Sequence, residues 1–346
     1  MQRRSYRNAD VTAPGSNKRG SLTRAFGSYR PQCSSLDQFL IAASDPICPA
    51  DRTCSMKKKN SRFLAKSTRI VTAFAALIWV TVATGMPATG QGNEVVRSIP
   101  YAGGERHTLD VYRPSMARRA PIIVFIYGGS WQSGQKSTYS FVGEALARRG
   151  YVTIVPDYRV YPSGRFPSFL EDNAKAVRWA RDNAAKFGGD PDTIYLMGHS
   201  AGAYNAAMLA FDGRWLKVVG LSSQRIAGFI GVSGPYDFLP LKDRTLAAIF
   251  RGADRPETQP VNYVSRGAPP SMLATGTFDT IVEPSNSTRL AARLRAAGND
   301  VTLRRYPAVG HIAILGGFVT PLQPLIPVLD DVDQFIRRTS GWQSGG

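Results

Sequence analysis

The chain has 346 residues, a hydrophobic content of 43% and a net charge of +18, so its length allows one large domain or two small ones. Residues 92–346 hold 29 basic and 21 acidic residues spread along the chain, without the aromatic-interleaved basic stripe of a nucleic-acid module. We therefore expect a solvated basic surface and no nucleic-acid partner. All three cysteines, Cys33, Cys48 and Cys54, precede residue 56, which excludes a disulfide framework or a thiolate metal site in the remainder.

The first 91 residues fall into two segments of different composition. Residues 1–55 are rich in Ser, Arg, Asn and Pro and show no sustained period, which predicts disorder. In residues 56–91, six basic residues and no acid follow Met56, and an apolar stretch and small residues come next, in the order of a secretory signal. An uncleaved membrane tether through 70–86 is the alternative, although the apolar stretch is short for a span. Since signal peptides begin at the N-terminus, we expect translation to start at Met56 and residues 1–55 to be an artefact of the assigned start. We expect the protein to be exported, as a periplasmic or secreted protein, or to be anchored at the membrane.

From about residue 94 the chain alternates strand-like and helix-like segments. The predicted strands cover 109–112, 122–127, 151–155, 193–197, 226–232, 271–275 and 301–306. The predicted helices cover 139–148, 169–187, 201–210, 286–297 and 328–338. This alternation predicts βαβ units and a mostly parallel sheet covered by helices on both faces. Six prolines in 235–270 break the pattern and predict a small insertion over one end of the sheet.

A glycine pair, Gly128 and Gly129, directly follows the apolar strand predicted at 122–127. Glycines at this place leave backbone N–H groups free to point at a ligand, where they stabilise the negative charge of a tetrahedral intermediate. We assign such an oxyanion hole to the N–H groups of Gly129, Ser130 and Ala201. Trp131 either lines the adjoining pocket or packs in the core, and the sequence leaves both roles open.

The strand predicted at 193–197 leads into Gly-His-Ser-Ala-Gly at residues 198–202, and a helical stretch follows. In a strand–turn–helix of this kind the serine lies on a tight turn that exposes its hydroxyl above the sheet. The turn brings backbone segments too close for most side chains, which favours glycine at both flanks. Ser200 is therefore the candidate nucleophile, although the pattern alone is short enough to occur by chance.

A serine hydroxyl needs a base to take its proton, and the chain has only three histidines. His107 begins an early strand, where we expect a surface or edge position. His199 is adjacent to Ser200 in the turn and points the wrong way to accept its proton. His311 lies in a loop after the strand predicted at 301–306 and is the candidate base by elimination and position.

The acid that orients the base is expected between Ser200 and His311 in the chain. Asp279 comes just after the strand predicted at 271–275, where such sites are built, and Glu283 is the alternative. Three further acids in the proline-rich insertion are expected to serve turns or the surface: Asp237, Asp243 and Asp254.

With these motifs in place, the chain resembles the α/β-hydrolases, and more closely their carboxylesterase and lipase-like branch. The resemblance covers about residues 94–340 and is carried by three stretches: Gly128-Gly129-Ser130-Trp131, the run from Phe187 to Gly202, and residues 276–279 with His311. It implies an eight-stranded, mostly parallel sheet with helices on both faces, and a catalytic domain over 92–346. It also implies serine-dependent hydrolysis of a small-molecule ester without metal or organic cofactor.

The chain departs from the family at Tyr127, where many relatives have a histidine before the glycine pair. That residue mainly shapes the loop, so we expect the oxyanion hole to be retained. Asp157 and Asp172 also match family positions, and these positions look structural rather than catalytic.

The leading hypothesis is a carboxylic-ester hydrolase in which Ser200, His311 and Asp279 form a catalytic triad and an acyl-enzyme is the intermediate. An amidase, an arylformamidase or a peptidase of the same fold would use the same three residues on a different bond. A non-catalytic binding module on this fold is the third alternative. It is disfavoured because candidates for the serine, the histidine and the acid of a triad are all present. The chain has no long lid insertion, which favours small soluble esters over long-chain lipids.

Overall fold

The computed structural model describes residues 92–343. Its strands are β1 (Asn93–Pro100), β2 (Thr108–Pro114), β3 (Ala120–Ile126), β4 (Val152–Pro156), β5 (Gly189–His199), β6 (Ile226–Val232), β7 (Ser271–Gly276) and β8 (Val301–Tyr306). They form one sheet in the order β1-β2-β4-β3-β5-β6-β7-β8. β1 and β2 pair antiparallel with their neighbours, and the remaining strands are parallel. The predicted eight-stranded, mostly parallel sheet is confirmed.

Seven α-helices accompany the sheet in the described residues: α1 (Ser140–Arg148), α2 (Ser168–Asn183), α3 (Ala201–Phe211), α4 (Arg214–Lys217), α5 (Arg244–Ile249), α6 (Ser285–Ala296) and α7 (Val328–Ser340). The five long helices of this set coincide with the five predicted ones to within a few residues. The predicted helix over 169–187 ends earlier, because its last turn from Ala184 to Phe187 is a 3-10 helix. The short α4 and α5 were not predicted, since neither is long enough to show a period.

The centre of the core is β3, in which all seven residues are buried. Its unbroken apolar run fits a parallel strand that is covered on both faces. β1 is different: it lies at the sheet edge and most of its residues are partly or fully exposed. The prediction omitted β1, because an edge strand with so little burial lacks the apolar pattern on which strands are recognised.

The direction of the strands places the candidate site. Four loops follow the carboxyl ends of β3, β5, β7 and β8, and parallel strands bring these ends to one edge of the sheet. Those loops carry Gly129, Ser200, Asp279 and His311. The proline-rich segment 235–270 follows β6 at the same edge and contains α5.

The disordered leader predicted over 1–55 and the signal or anchor predicted over 56–91 lie outside the described residues. Within 92–343, no helix has the length and apolar character needed to cross a membrane.

Candidate active site

Ser200 occupies a strained turn between β5 and α3, with φ 55° and ψ −126°. A positive φ is costly for a residue with a side chain and points to a functional constraint. The flanking glycines make the turn possible: a Cβ at Gly198 would lie 2.3 Å from the Gly202 carbonyl oxygen. A Cβ at Gly202 would lie 1.9 Å from the carbonyl oxygen of Ile126. The side chain of Ser200 is thus held at the carboxyl edge of the sheet by close backbone packing.

A chain of two hydrogen bonds joins the three residues proposed as a triad. Ser200 Oγ lies 2.8 Å from His311 Nε2, and His311 Nδ1 lies 2.8 Å from Asp279 Oδ2. A carboxylate only accepts, so Nδ1 of His311 carries the proton and donates it to Asp279. The lone pair of Nε2 then faces Ser200, whose hydroxyl donates to it. All three side chains are buried, and each is 7% exposed or less.

Asp279 is held by the backbone of its own loop. Its Oδ1 accepts from the N–H groups of Ile281 and Val282 at 3.0 and 2.9 Å. Burial alone would raise the pKa of Asp279, but the hydrogen bonds from His311 and from these two N–H groups outweigh it and hold the pKa below its ordinary value. The alternative acid, Glu283, lies elsewhere: it lines the adjoining pocket and is near Ser285 Oγ, at 3.3 Å.

The loop after β3 has the backbone conformation of a donor site. Gly129, Ser130 and Trp131 all have positive φ, at 125°, 53° and 57°. Within the described residues, no acceptor is found for the N–H groups of Gly129, Ser130 or Ala201. Ser130 and Ala201 line the same pocket as Ser200, whereas Gly129 is not part of that lining. Glycine is required at position 129, because a Cβ there would lie 2.3 Å from the Ser133 carbonyl oxygen.

Tyr127, where the chain departs from the family pattern, anchors the start of the loop after β3. Its hydroxyl donates to Asp157 Oδ1 at 2.8 Å and accepts from Arg106 Nη2 at 2.8 Å. Its ring stacks on Tyr158, with centroids 4.8 Å apart. Asp157 also accepts from the backbone N–H of Lys136 at 2.8 Å. The carboxylate of Asp157 therefore ties both ends of the segment that carries the candidate oxyanion donors.

His199 connects the nucleophile turn with the loop of the base. It is 1% exposed, and its Nε2 donates to the main-chain oxygen of His311 at 3.0 Å. Burial, with a smaller contribution from His311, lowers the pKa of His199 to about 3, so the imidazole is neutral at physiological pH. On its other side, His199 Nδ1 would lie 3.2 Å from a Cβ at Gly128. The imidazole is therefore packed between the loop after β3 and the loop that carries His311.

A pocket of about 530 Å³ opens beside Ser200. One wall comes from the insertion and includes Phe238, Leu241 and Leu246, and another comes from the Asp279 loop and includes Ile281. Trp131 lines this pocket and is also a core residue: it is 3% exposed, and its indole Nε1 donates to Asn205 Oδ1 at 3.0 Å.

Sequence reasoning missed a charged pair at this pocket. Asp237 was expected to serve a turn or the surface, but it lines the pocket and its Oδ2 lies 2.6 Å from Arg289 Nε. The break of the α/β pattern by prolines located the insertion, yet nothing in the sequence links residue 237 to residue 289.

The surface or edge position expected for His107 is wrong, because the residue is only 8% exposed. Its Nε2 lies 3.0 Å from Asp172 Oδ1. Asp172 is fully buried and accepts from Arg159 Nε and Nη2, at 2.8 and 2.7 Å. These contacts fit the structural role expected for Asp172. No cluster of three or more His, Cys, Asp or Glu residues that could ligate a metal is found in 92–343.

Comparison with known proteins relates this chain to esterases. The BD-FAE family model matches residues 109–294. The chain is 31% identical over 241 residues to the isoprenylcysteine alpha-carbonyl methylesterase of Arabidopsis thaliana, covering 63% of this chain and 56% of that protein. It is 30% identical over 239 residues to the esterase LipC of Mycobacterium tuberculosis, covering 62% and 59%. The chain thus spans less than two thirds of the length of both relatives.

A solved structure extends the comparison to the fold. The propionate-bound esterase Est2 of Thermogutta terrifontis superposes with a TM-score of 0.61 at 25% identity. The superposition covers 74% of this chain and 97% of that one. The matched region therefore includes nearly all of the neighbouring enzyme and most of the residues described for this chain.

Proposed function

Because this chain belongs to the BD-FAE family, we propose that it hydrolyses carboxylic esters of small molecules, with Ser200, His311 and Asp279 as a catalytic triad. The observation that carries this proposal is the continuous hydrogen-bond chain from Ser200 Oγ through His311 to Asp279 at the mouth of a pocket. The esterases among its relatives support the same class of reaction.

In the acylation step, Ser200 Oγ attacks the carbonyl carbon of the ester while His311 Nε2 takes the hydroxyl proton. The carbonyl oxygen becomes an oxyanion, for which the N–H groups of Gly129, Ser130 and Ala201 are the proposed donors. The tetrahedral intermediate then collapses: the bond between carbon and alcohol oxygen breaks, and His311 gives its proton to the departing alkoxide. An alcohol leaves and the acyl group remains on Ser200.

In the deacylation step, a water molecule replaces the alcohol and attacks the acyl carbon. His311 takes a proton from this water, and the same N–H groups hold the second oxyanion. Cleavage of the acyl–Oγ bond returns the proton to Ser200 and releases the carboxylic acid. Throughout, Asp279 holds the imidazole with Nδ1 protonated and stabilises the imidazolium that forms twice in each cycle.

The test is hydrolysis of p-nitrophenyl acetate by the full chain and by Ser200→Ala. We expect the variant to lose at least about 10³-fold in kcat, because no other group supplies the nucleophile. Ser163→Ala is the matched control, since within 92–343 the one hydrogen bond of Ser163 Oγ is its donation to the Val160 carbonyl at 3.0 Å. A rate for Ser200→Ala within a few-fold of the control would remove the proposal.

Two further measurements separate the alternatives. Reaction of wild-type protein with a fluorophosphonate probe, absent in Ser200→Ala, distinguishes an enzyme from a binding module. Comparison of p-nitrophenyl acetate with p-nitroacetanilide distinguishes an esterase from an amidase of the same fold, and we expect the ester to be strongly preferred.

A further inference from the structure

Exposed apolar side chains concentrate beside the candidate triad. In 92–343, seven large apolar residues have a notably exposed side chain, and three of these lie within two residues of Asp279 or His311. They are Phe278, Ile281 and Ile312, with exposed fractions of 67%, 63% and 45%. We call these three residues the apolar rim. Large apolar side chains left exposed on the loops of a candidate site fit a binding surface better than scattered surface residues.

The rim lies on loops whose backbone is hydrogen-bonded. Phe278 N–H donates to the Val309 carbonyl at 3.0 Å, and Ile281 N–H donates to Asp279 Oδ1 at 3.0 Å. The loops of the acid and the base are also joined where Ala308 N–H donates to Thr277 Oγ1 at 2.9 Å. Because these bonds fix both loops, the exposure of the rim is a property of the folded site. Because these side chains stay exposed in the folded protein, a ligand that buries their apolar surface gains the hydrophobic free energy of that burial.

The chemistry of the site identifies which part of the substrate meets the rim. When the tetrahedral intermediate collapses, the alcohol oxygen must lie within hydrogen-bond reach of His311 Nε2 to receive its proton. Ile312 is the next residue after His311, and Ile281 donates its N–H to Asp279 and also lines the pocket of Ser200. The carbonyl oxygen is assigned instead to the N–H groups of Ser130 and Ala201, which follow β3 and β5. Of the rim, Ile281 lines the pocket, while Phe278 and Ile312 lie outside its lining on the loops of the acid and the base. The rim is therefore assigned to the alcohol half of the ester, which leaves from the side of His311.

This geometry points to esters of extended apolar alcohols as the preferred substrate class, with the apolar rim as the subsite for the alcohol chain. The inference rests on the proposed esterase function and departs from the preference for small soluble esters expected from the sequence. That expectation relied on the lack of a long lid, whereas the rim is formed by the two triad loops themselves.

The experiment uses the acetates of ethanol, butanol, hexanol and octanol with the full-length protein. Every member gives the same acetyl-enzyme, so deacylation is common to the series and kcat/KM reports binding and acylation. The primary alcohols have similar leaving-group reactivity, which leaves the apolar chain as the variable. We expect kcat/KM to rise along the series for the wild type.

Phe278→Ser and Ile312→Ser each remove one apolar side chain of the rim, and Met116→Ser is the matched control. Met116 is 63% exposed and lies in the turn before β3, at the opposite edge of the sheet from Ser200. We expect the rim variants to lose about fivefold or more in kcat/KM for octyl acetate and to keep their ethyl acetate rate. Met116→Ser should match the wild type on all four esters, and thermal melting checks that each variant is folded.

Each other outcome has a distinct meaning. If rim variants and control keep the same dependence on chain length, the subsite is overturned while the esterase function stands. If the variants lose methyl octanoate activity as strongly as octyl acetate activity, the assignment to the alcohol half is wrong. If the wild type is dimeric and Phe278→Ser is monomeric with unchanged selectivity, the rim binds a second copy instead. If the wild type hydrolyses none of these esters, the proposed function itself fails.

Discussion

At the scale of single residues, the site depends on contacts between segments that are far apart in the chain. Asp279 and Glu283 are four residues apart and both follow β7, yet only Asp279 contacts His311. The choice is made by the backbone, because the N–H groups of Ile281 and Val282 turn back onto the Asp279 carboxylate. The sequence favoured the same residue from its distance to the strand end alone.

His199 gives a prediction for the dependence of stability on pH. Its pKa falls from 6.5 to about 3 on folding, so the unfolded chain binds a proton that the folded chain does not bind between these values. The stabilisation is complete above pH 6.5 and is lost as the pH falls, by up to about 1.4 kcal/mol per pH unit. Between pH 7 and pH 5, this one group should lower the free energy of unfolding by about 2 kcal/mol.

His199→Gln isolates the contribution, because the amide keeps a donor for the His311 carbonyl but does not titrate. Urea denaturation at pH 7 and pH 5 measures the free energy of unfolding of both proteins. We expect the wild type to lose about 2 kcal/mol more than the variant, while the titrations common to both cancel. An equal pH dependence in the two proteins would show that His199 is not buried in its neutral form.

At the scale of elements, the strands and helices were predictable where burial leaves a pattern. β3 is a fully buried apolar run and α7 has a regular stripe of buried residues, so each appears directly in the sequence. β1 and the short α4 and α5 lack such a pattern and were missed. The burial of His107 was also missed, because the buried Asp172 that lies 3.0 Å from its Nε2 is 65 residues away in the chain.

The loop between β3 and α1 yields a prediction about catalysis. Asp157 accepts from Tyr127 Oη and from Lys136 N–H, both at 2.8 Å, and so fixes the two ends of the segment that contains Gly129 and Ser130. Asp157→Ala frees both ends, and the candidate oxyanion donors lose their alignment. Since complete loss of one such donor costs about 10²–10³ in kcat, we expect kcat for p-nitrophenyl acetate to fall about 10- to 100-fold.

The matched control is Asp182→Ala, which removes a half-exposed carboxylate whose one ion-pair partner within 92–343 is Arg178 on α2. It should leave kcat unchanged. Asp157→Asn keeps an acceptor oxygen and should lie between the wild type and the alanine variant. If Asp157→Ala and Asp182→Ala are both folded and have equal kcat values, the hydrogen bonds of Asp157 do not contribute to catalysis.

At the scale of the whole molecule, the topology of the sheet determines which of its edges carries the candidate site, but it does not determine the pocket. Parallel strands place their carboxyl ends together, which is sufficient to bring the loops of Ser200, Asp279 and His311 to one edge. The pocket walls require the insertion after β6 to fold back over that edge. The 3-10 turns and irregular backbone of this insertion have no period in the sequence. The ion pair between Asp237 and Arg289 could therefore not be predicted from the sequence pattern.

The remaining prediction concerns the segment before the sheet. The basic run after Met56, the apolar stretch and the small residues near 88–90 are typical of a signal peptide, and β1 begins at Asn93. We expect a bacterial host to export the chain and to cleave it near residues 88–90, because the apolar stretch is shorter than the roughly 20 residues of a stable span. Intact mass of the protein from the exported fraction measures the cleavage site.

A variant that lacks residues 1–91 is the control for export. It should stay in the cytoplasm and keep its activity on p-nitrophenyl acetate, because all four loops of the candidate site follow β3. Recovery of the full chain in the membrane fraction, with 70–86 intact, would favour the uncleaved tether over the signal peptide. A peptide from residues 1–55 in the native protein would contradict a start at Met56, since a segment preceded by 55 residues does not have the N-terminal position of a signal peptide.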